Sequence, residues 1–111
     1  MLKDVRLKRL HSELGGPLAS RVLSMVSTAL TYARLPVKDV RAVLLGLGRR
    51  RQWYVAFRLG DDTPVDRIKE ECRRVAAMLR GMGYGDLVTH PMAFTPLWRR
   101  GYMIGIRAHT K

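Results

Sequence analysis

Three consecutive arginines, Arg49, Arg50 and Arg51, lie between two apolar runs of the chain. Arginine presents a planar fork of N–H donors that suits phosphate oxygens, and its flat cation stacks on bases. Three adjacent charges of one sign cannot be buried, because each would need a partner. We therefore expect this segment to project into solvent or onto an anionic ligand.

A second group of this kind follows at Trp98, Arg99 and Arg100. Six of the eight aromatic residues lie in the two predicted hairpins that carry these segments: Trp53, Tyr54, Phe57, Phe94, Trp98 and Tyr102. Single-stranded nucleic acid is held by basic grooves along its phosphates and by aromatic rings under its bases. The candidate nucleic-acid-binding residues are Arg41, Arg49, Arg50, Arg51, Tyr54, Arg58, Trp98, Arg99, Arg100 and Arg107.

Catalytic and metal-binding groups are sparse. Cys72 is the single cysteine, and the three histidines are scattered at His11, His90 and His109. A metal site needs several such ligands close together, and a nucleophile needs a base. The glycines match neither phosphate-binding fingerprint. We therefore expect a non-enzymatic protein with no catalytic residue, metal or cofactor.

Composition bounds the class of protein. A chain of 111 residues with 47% hydrophobic content indicates one domain, residues 1–111, with a packed core. The formal net charge is +12, and 16 of the 21 basic residues are arginine. The charge balance is +9 in residues 1–58 and +3 in residues 59–111. Such a field attracts anionic partners, above all to the first half of the chain; the alternative is a charged surface that serves solubility alone.

The expected location is intracellular. A single cysteine fits a reducing compartment, no apolar stretch is long enough to span a bilayer, and no secretory signal is evident. We expect a cytoplasmic protein associated with a nucleoid or a ribonucleoprotein, and no membrane partner. Asparagine is absent and glutamine occurs once, which is typical of thermophiles; GC-rich coding is the alternative explanation.

Hydrophobic periodicity predicts seven elements. The first helix is predicted to run from Pro17 to about Leu35. The second is predicted to begin at Pro64, with Thr63 as its cap and Asp66 completing a capping box. Residues 11–16 are expected to form a loop. The strands are an edge strand within residues 1–10, a hairpin of Val40–Leu45 and Trp53–Leu59, and a second pair of Leu87–Phe94 and Tyr102–His109.

The order strand-helix-strand-strand-helix-strand-strand indicates an α+β fold. We expect a ferredoxin-like antiparallel sheet of four to five strands with two helices on one face. If the first strand is absent, two hairpins and two helices remain. Alternation along the returning hairpin strand places Trp53 and Phe57 in the core, and Tyr54 and Arg58 on the opposite, open face.

Residues 50–57, RRQWYVAF, are similar to the RNP1 segment of RNA-recognition motifs. Arg50, Tyr54, Val55 and Phe57 fit that pattern, whereas its glycine positions hold Arg51 and Trp53, and Gln52 replaces an aromatic residue. Residues 5–10 fit the partner segment only in their aliphatic residues. The resemblance implies that Tyr54 faces a bound base.

These observations favour a weakly sequence-specific protein that binds single-stranded DNA or RNA. The first alternative is a ribonucleoprotein component or a chromatin-type protein that binds duplex, with arginines in grooves or on the backbone. The second is an interaction module for an acidic protein. A homodimer is compatible with each, because Val43 and Leu45 give their strand two apolar faces.

Overall fold

The computed structural model describes residues 2–107, which form five strands and three helices. The strands are β1 (Leu2–Arg6), β2 (Asp39–Leu45), β3 (Gln52–Arg58), β4 (Val88–Met92) and β5 (Gly101–Ile106). The helices are α1 (Leu10–Leu14), α2 (Gly16–Thr31) and α3 (Val65–Leu79). Short 3-10 turns occupy Leu7–Arg9 and Gly48–Arg50.

The strands form one sheet in the order β1-β2-β3-β5-β4, with every pairing antiparallel. The α+β class and the five-stranded antiparallel sheet are thus confirmed, and β1 lies at an edge as expected. The ferredoxin-like arrangement is not confirmed. In that arrangement another strand separates the two strands that flank a helix, whereas β1 and β2 pair directly.

The main core joins α2 and α3 to alternate residues of the strands. Trp53, Val55, Phe57 and Leu59 belong to it, as the alternation predicted. The helices contribute Val22, Met25, Val26, Ala29, Ile68, Cys72, Val75 and Leu79. Apolar residues at three- and four-residue spacing thus form the buried faces of both helices, whereas Leu30 and Val65, which follow the same predicted spacing, are 42% and 45% exposed.

A second, smaller cluster lies on the other side of the sheet, which we call the outer face. Its buried members are Val43, Tyr54, Ala56 and Met103, and Leu45, Met92, Leu97 and Trp98 pack against them. Leu97 and Trp98 come from the connection between β4 and β5. The expectation of an open face is therefore wrong at its centre, because this connection covers the apolar residues there.

Two predicted boundaries differ because side chains compete for the backbone. Helix α2 ends at Thr31 rather than Leu35, since the N–H groups of Arg34 and Leu35 donate to the Glu71 carboxylate at 2.8 and 3.2 Å. The predicted capping box at α3 does not form. The Thr63 hydroxyl donates to the Gly60 carbonyl at 2.7 Å, and Pro64 precedes the first helical residue.

The N-terminal strand and the following loop also differ. Strand β1 ends at Arg6, and α1 forms within the segment expected to be a loop, where the fully buried Leu10 anchors it to the core. At the other end, β5 stops at Ile106. Residue 109, the predicted end of this strand, lies outside the described residues.

Candidate nucleic-acid interface

The tip of the β2–β3 hairpin, residues 46–51, is a fixed turn. Gly46 and Gly48 have φ angles of 101° and 57°, in the left-handed region that favours glycine. A Cβ atom on Gly46 would lie 2.5 Å from the Arg50 carbonyl oxygen. The Arg50 N–H donates to the Leu47 carbonyl at 3.0 Å, which closes the turn.

The three arginines of this tip project into solvent, as their sequence predicted. The Arg51 Nε donates to the Gly48 carbonyl at 3.2 Å and so lies back along the turn. The side chains of Arg49 and Arg50 form no hydrogen bond or ion pair within the described residues. Leu47, beside them, is 66% exposed. The tip thus presents two unpaired cations and one bare apolar side chain.

The two basic segments lie at opposite ends of the sheet. Trp53 pairs with Ile106 next to the hairpin tip, and Arg58 pairs with Gly101 at the far end. The connection between β4 and β5 immediately precedes Gly101 and therefore lies at that far end. Six residue steps along β3 separate the ends by about 20 Å. Arg49–Arg51 and Arg99–Arg100 do not form one cluster.

Arginines also occupy the far end of the outer face. Arg41 is half-buried, its Nε donates to the Asp39 carboxylate at 3.3 Å, and its Cζ lies 5.8 Å from the centroid of the Trp98 ring. Arg6 is the cross-strand partner of Arg41, and Arg58 is exposed. Like charges directly opposite each other are unfavourable, and the Asp39 carboxylate offsets part of this repulsion at Arg41.

The β4–β5 connection, residues 93–100, contributes further to this end. Arg99 is exposed, whereas Arg100 is half-buried and its Nε donates to the Thr63 carbonyl at 3.0 Å. Trp98 is half-buried against the outer-face cluster. Arg99 therefore remains available to a ligand, Trp98 is partly available, and Arg100 joins the connection to the loop before α3.

Phe94, in the same connection, was not among the candidates from sequence. Its side chain is 55% exposed, more than that of any other aromatic residue in the described part of the chain. The signal that could have found it is its position between Pro91 and Pro96, which keep this stretch from continuing as a regular strand.

Tyr54 is not a stacking platform. The residue is 8% exposed, its hydroxyl lies 3.0 Å from His90 Nε2, and the two rings meet edge to face at 5.6 Å. Burial raises the pKa of this phenol. The buried Tyr54 ring therefore does not face a base, contrary to what the resemblance to RNA-recognition motifs implied. The sheet order also argues against that resemblance, because β1 and β3, the strands compared with its two segments, are separated by β2.

Arg107 is exposed at the tip end of the sheet, just after β5. Its backbone N–H donates to the Leu87 carbonyl at 2.7 Å, which anchors the chain there. Together with Arg49 and Arg50 it makes a basic end opposite to the one formed by Arg41, Arg58 and Arg99. The sheet therefore places the predicted arginines in two groups.

Acidic partners are found on α3 and at Asp86, which lies close to Arg107 at the tip end of the sheet. Arg21 of α2 pairs with Asp86 at 2.6 Å, and the Arg21 guanidinium lowers the pKa of that carboxyl. Arg74 of α3 pairs with Glu71 at 2.8 Å. Among the candidate arginines, Arg41 alone forms an ion pair with a side chain of residues 5–107. The helices thus neutralise part of their charge, and the tip does not.

Residues 2–107 contain no group of three or more His, Cys, Asp or Glu side chains placed to hold a metal ion. Among these same residues, no helix has both the length and the apolar character needed to cross a membrane. Buried polar atoms without a hydrogen-bond partner occur at Thr89 Oγ1 and the Tyr102 hydroxyl, and burial raises the pKa of Tyr102.

No known family model, curated protein or solved structure matches this chain.

Proposed function

We propose that this chain is a non-enzymatic, weakly sequence-specific protein that binds single-stranded DNA or RNA at the far end of its outer face. The observation that carries the proposal is the combination of the exposed Phe94 ring and the half-buried Trp98 ring with exposed arginines at Arg58 and Arg99. Bases would stack on the rings while the arginines bind phosphates. The proposal thus keeps the stacking mechanism and moves it from Tyr54 to the β4–β5 connection.

The arrangement of Arg41 and Trp98 supports a role for this end. A guanidinium 5.8 Å from an indole centroid is within the range of a cation–π contact, which holds the cation in a defined place. A phosphate could bind Arg41 from the solvent side while a neighbouring base contacts the indole. With the helices packed against the other side of the sheet, the far end of the outer face would stay free for a ligand. Such binding fits a cytoplasmic, nucleoid or ribonucleoprotein setting.

One observation favours the alternative, a ribonucleoprotein component or a protein of duplex DNA. The tip of the β2–β3 hairpin carries arginines but no aromatic residue, and Tyr54 beneath the outer face is covered. Charge without stacking is typical of proteins that neutralise a nucleic-acid backbone. An interaction module for an acidic protein and a homodimer also remain as proposals. The expectation of a homodimer depended partly on an exposed Val43, but this residue is buried within the chain.

The test is fluorescence anisotropy with labelled single-stranded and duplex DNA and RNA of equal length, over a range of salt concentrations. We expect tighter binding to single strands, with an affinity that falls as salt rises because counterions are released. Equal or tighter binding to duplex would favour the alternative. Absence of binding to all four would overturn the proposal and point to an acidic protein.

A charge-matched pair of variants locates the contact. Replacement of both Arg58 and Arg99 by alanine removes two cations of the proposed site, whereas replacement of Lys69 and Arg73 removes two exposed cations of α3. If both outer-face arginines bind phosphate, the slope of log K against log salt should fall by about 1.4 for a single strand. The α3 variant should change it less. Equal effects would show that only net charge matters.

A further inference from the structure

The hairpin tip presents an unusual apolar residue. Leu47 is 66% exposed, the highest value among the exposed large hydrophobic side chains of the described residues. One exposed leucine on a protein surface is ordinary. Leu47 differs in its setting, because it stands on the hairpin turn beside Arg49 and Arg50, whose side chains have no partner among the described residues.

The turn holds this leucine in place. The positive φ angles of Gly46 and Gly48 and the Arg50-to-Leu47 backbone hydrogen bond define one conformation of the tip. Arg51 adds a side-chain bond to the Gly48 carbonyl. A fixed tip loses little conformational entropy on binding, which favours its use as a rigid probe.

Charge complementarity indicates the ligand. No acidic residue occurs between Asp39 and Asp61, a segment that contains both strands of the hairpin and five arginines. Proteins that bend DNA from the minor groove insert an apolar side chain between base pairs, and cationic side chains beside it contact the backbone. The tip has both components within six residues.

We propose that residues 46–51 form a wedge for the minor groove of duplex DNA. The Leu47 side chain enters between two base pairs and partly unstacks them, while Arg49 and Arg50 bind phosphates on either side. The kink that results lies about 20 Å from the proposed single-strand site, at the other end of β3. The wedge goes beyond that site and does not depend on it.

The experiment measures duplex bending by energy transfer between dyes at the two ends of a DNA duplex, together with anisotropy on the same duplex. The variant is Leu47→Ala, and the matched control is Leu30→Ala, which shortens a 42% exposed leucine of α2. We expect wild type and Leu30→Ala to bend the duplex. Leu47→Ala should abolish the bend and weaken duplex binding about tenfold, since it removes the carbons that would be buried between bases.

Three results would overturn the wedge. The first is that Leu47→Ala bends the duplex as much as wild type does, and the second is that wild type does not bend it. The third is that wild type binds duplex RNA as tightly as duplex DNA, because the wide minor groove of RNA offers no such site. Single-strand affinity separates the two proposals, because Leu47→Ala should leave it unchanged. A protein that bends duplex and ignores single strands would refute the proposed function and retain the wedge.

Discussion

Replacement of Phe94 by alanine isolates base stacking from charge at the proposed single-strand site. The ring is 55% exposed, so its truncation removes little of the packed interior. A large aromatic side chain offers roughly 200 Å² of surface, of which about 110 Å² would then be accessible. A stacked base covers one face, about half of that area. At ~25 cal/mol per Å², the contact is worth about 1.4 kcal/mol.

That free energy corresponds to about a tenfold increase in Kd, and it lies in the lower part of the range of about 1–3 kcal/mol for stacking on one aromatic residue. The assay is anisotropy with a labelled single strand at one fixed salt concentration, since Phe94→Ala leaves the net charge unchanged. Duplex affinity should not change. The thermal unfolding midpoint should also stay close to that of wild type.

Tyr32→Ala is the matched control. Tyr32 is 51% exposed and follows α2, where its carbonyl accepts a hydrogen bond from Arg74 of α3. Loss of this exposed ring should leave nucleic-acid binding unchanged. If Phe94→Ala binds the single strand as tightly as Tyr32→Ala and wild type, no base stacks on the β4–β5 connection. The reasoning behind the proposed site would then be refuted, and backbone binding would be favoured.

Two further predictions concern the core. Glu71→Gln should lower the free energy of unfolding, measured by urea denaturation, by about 2 kcal/mol, because the 4% exposed carboxylate would no longer pair with Arg74. Glu70→Gln, at an exposed position, should change this free energy little. Equal effects of the two variants would contradict the role given to Glu71. Burial raises the pKa of the Cys72 thiol from 9.0 to about 11, so the unfolded state ionises first and stability should fall as pH rises from 9.0 to about 11. Cys72→Ala should show a smaller loss of stability over that interval, and identical pH profiles would exclude this contribution.

Local patterns predicted the five strands and helices α2 and α3, but not α1, and long-range contacts decided where the elements end. The stripes of α2 and α3 and the alternation of β3 are visible because each repeats within a short segment. The end of α2 depends on Glu71, which lies 36 residues after Leu35 in the chain. No local pattern shows that its carboxylate accepts the N–H groups that would otherwise continue the helix.

The same limit applies to the candidate site. Alternation correctly assigned Tyr54 to the face opposite Phe57, but it cannot show what covers that face. The covering residues, Leu97 and Trp98, come from a connection with no regular period. The register of β3 with β5 then placed Arg99 at the end of the sheet opposite to Arg49. Two tips of similar composition thus became two separate surfaces.

This separation bears on how the excess positive charge is used. Asp86 and Glu71 pair with arginines of the helices, and Asp39 pairs with Arg41. Arg21 and Asp86 are far apart in the sequence, so only the folded chain brings this pair together. Arg49 and Arg50 at the hairpin tip, which have no partner in the described part of the chain, repel each other, and a turn closed by backbone hydrogen bonds holds them together against that repulsion. An anionic ligand would relieve the repulsion, whereas a merely solubilising surface gains nothing from keeping the cations adjacent.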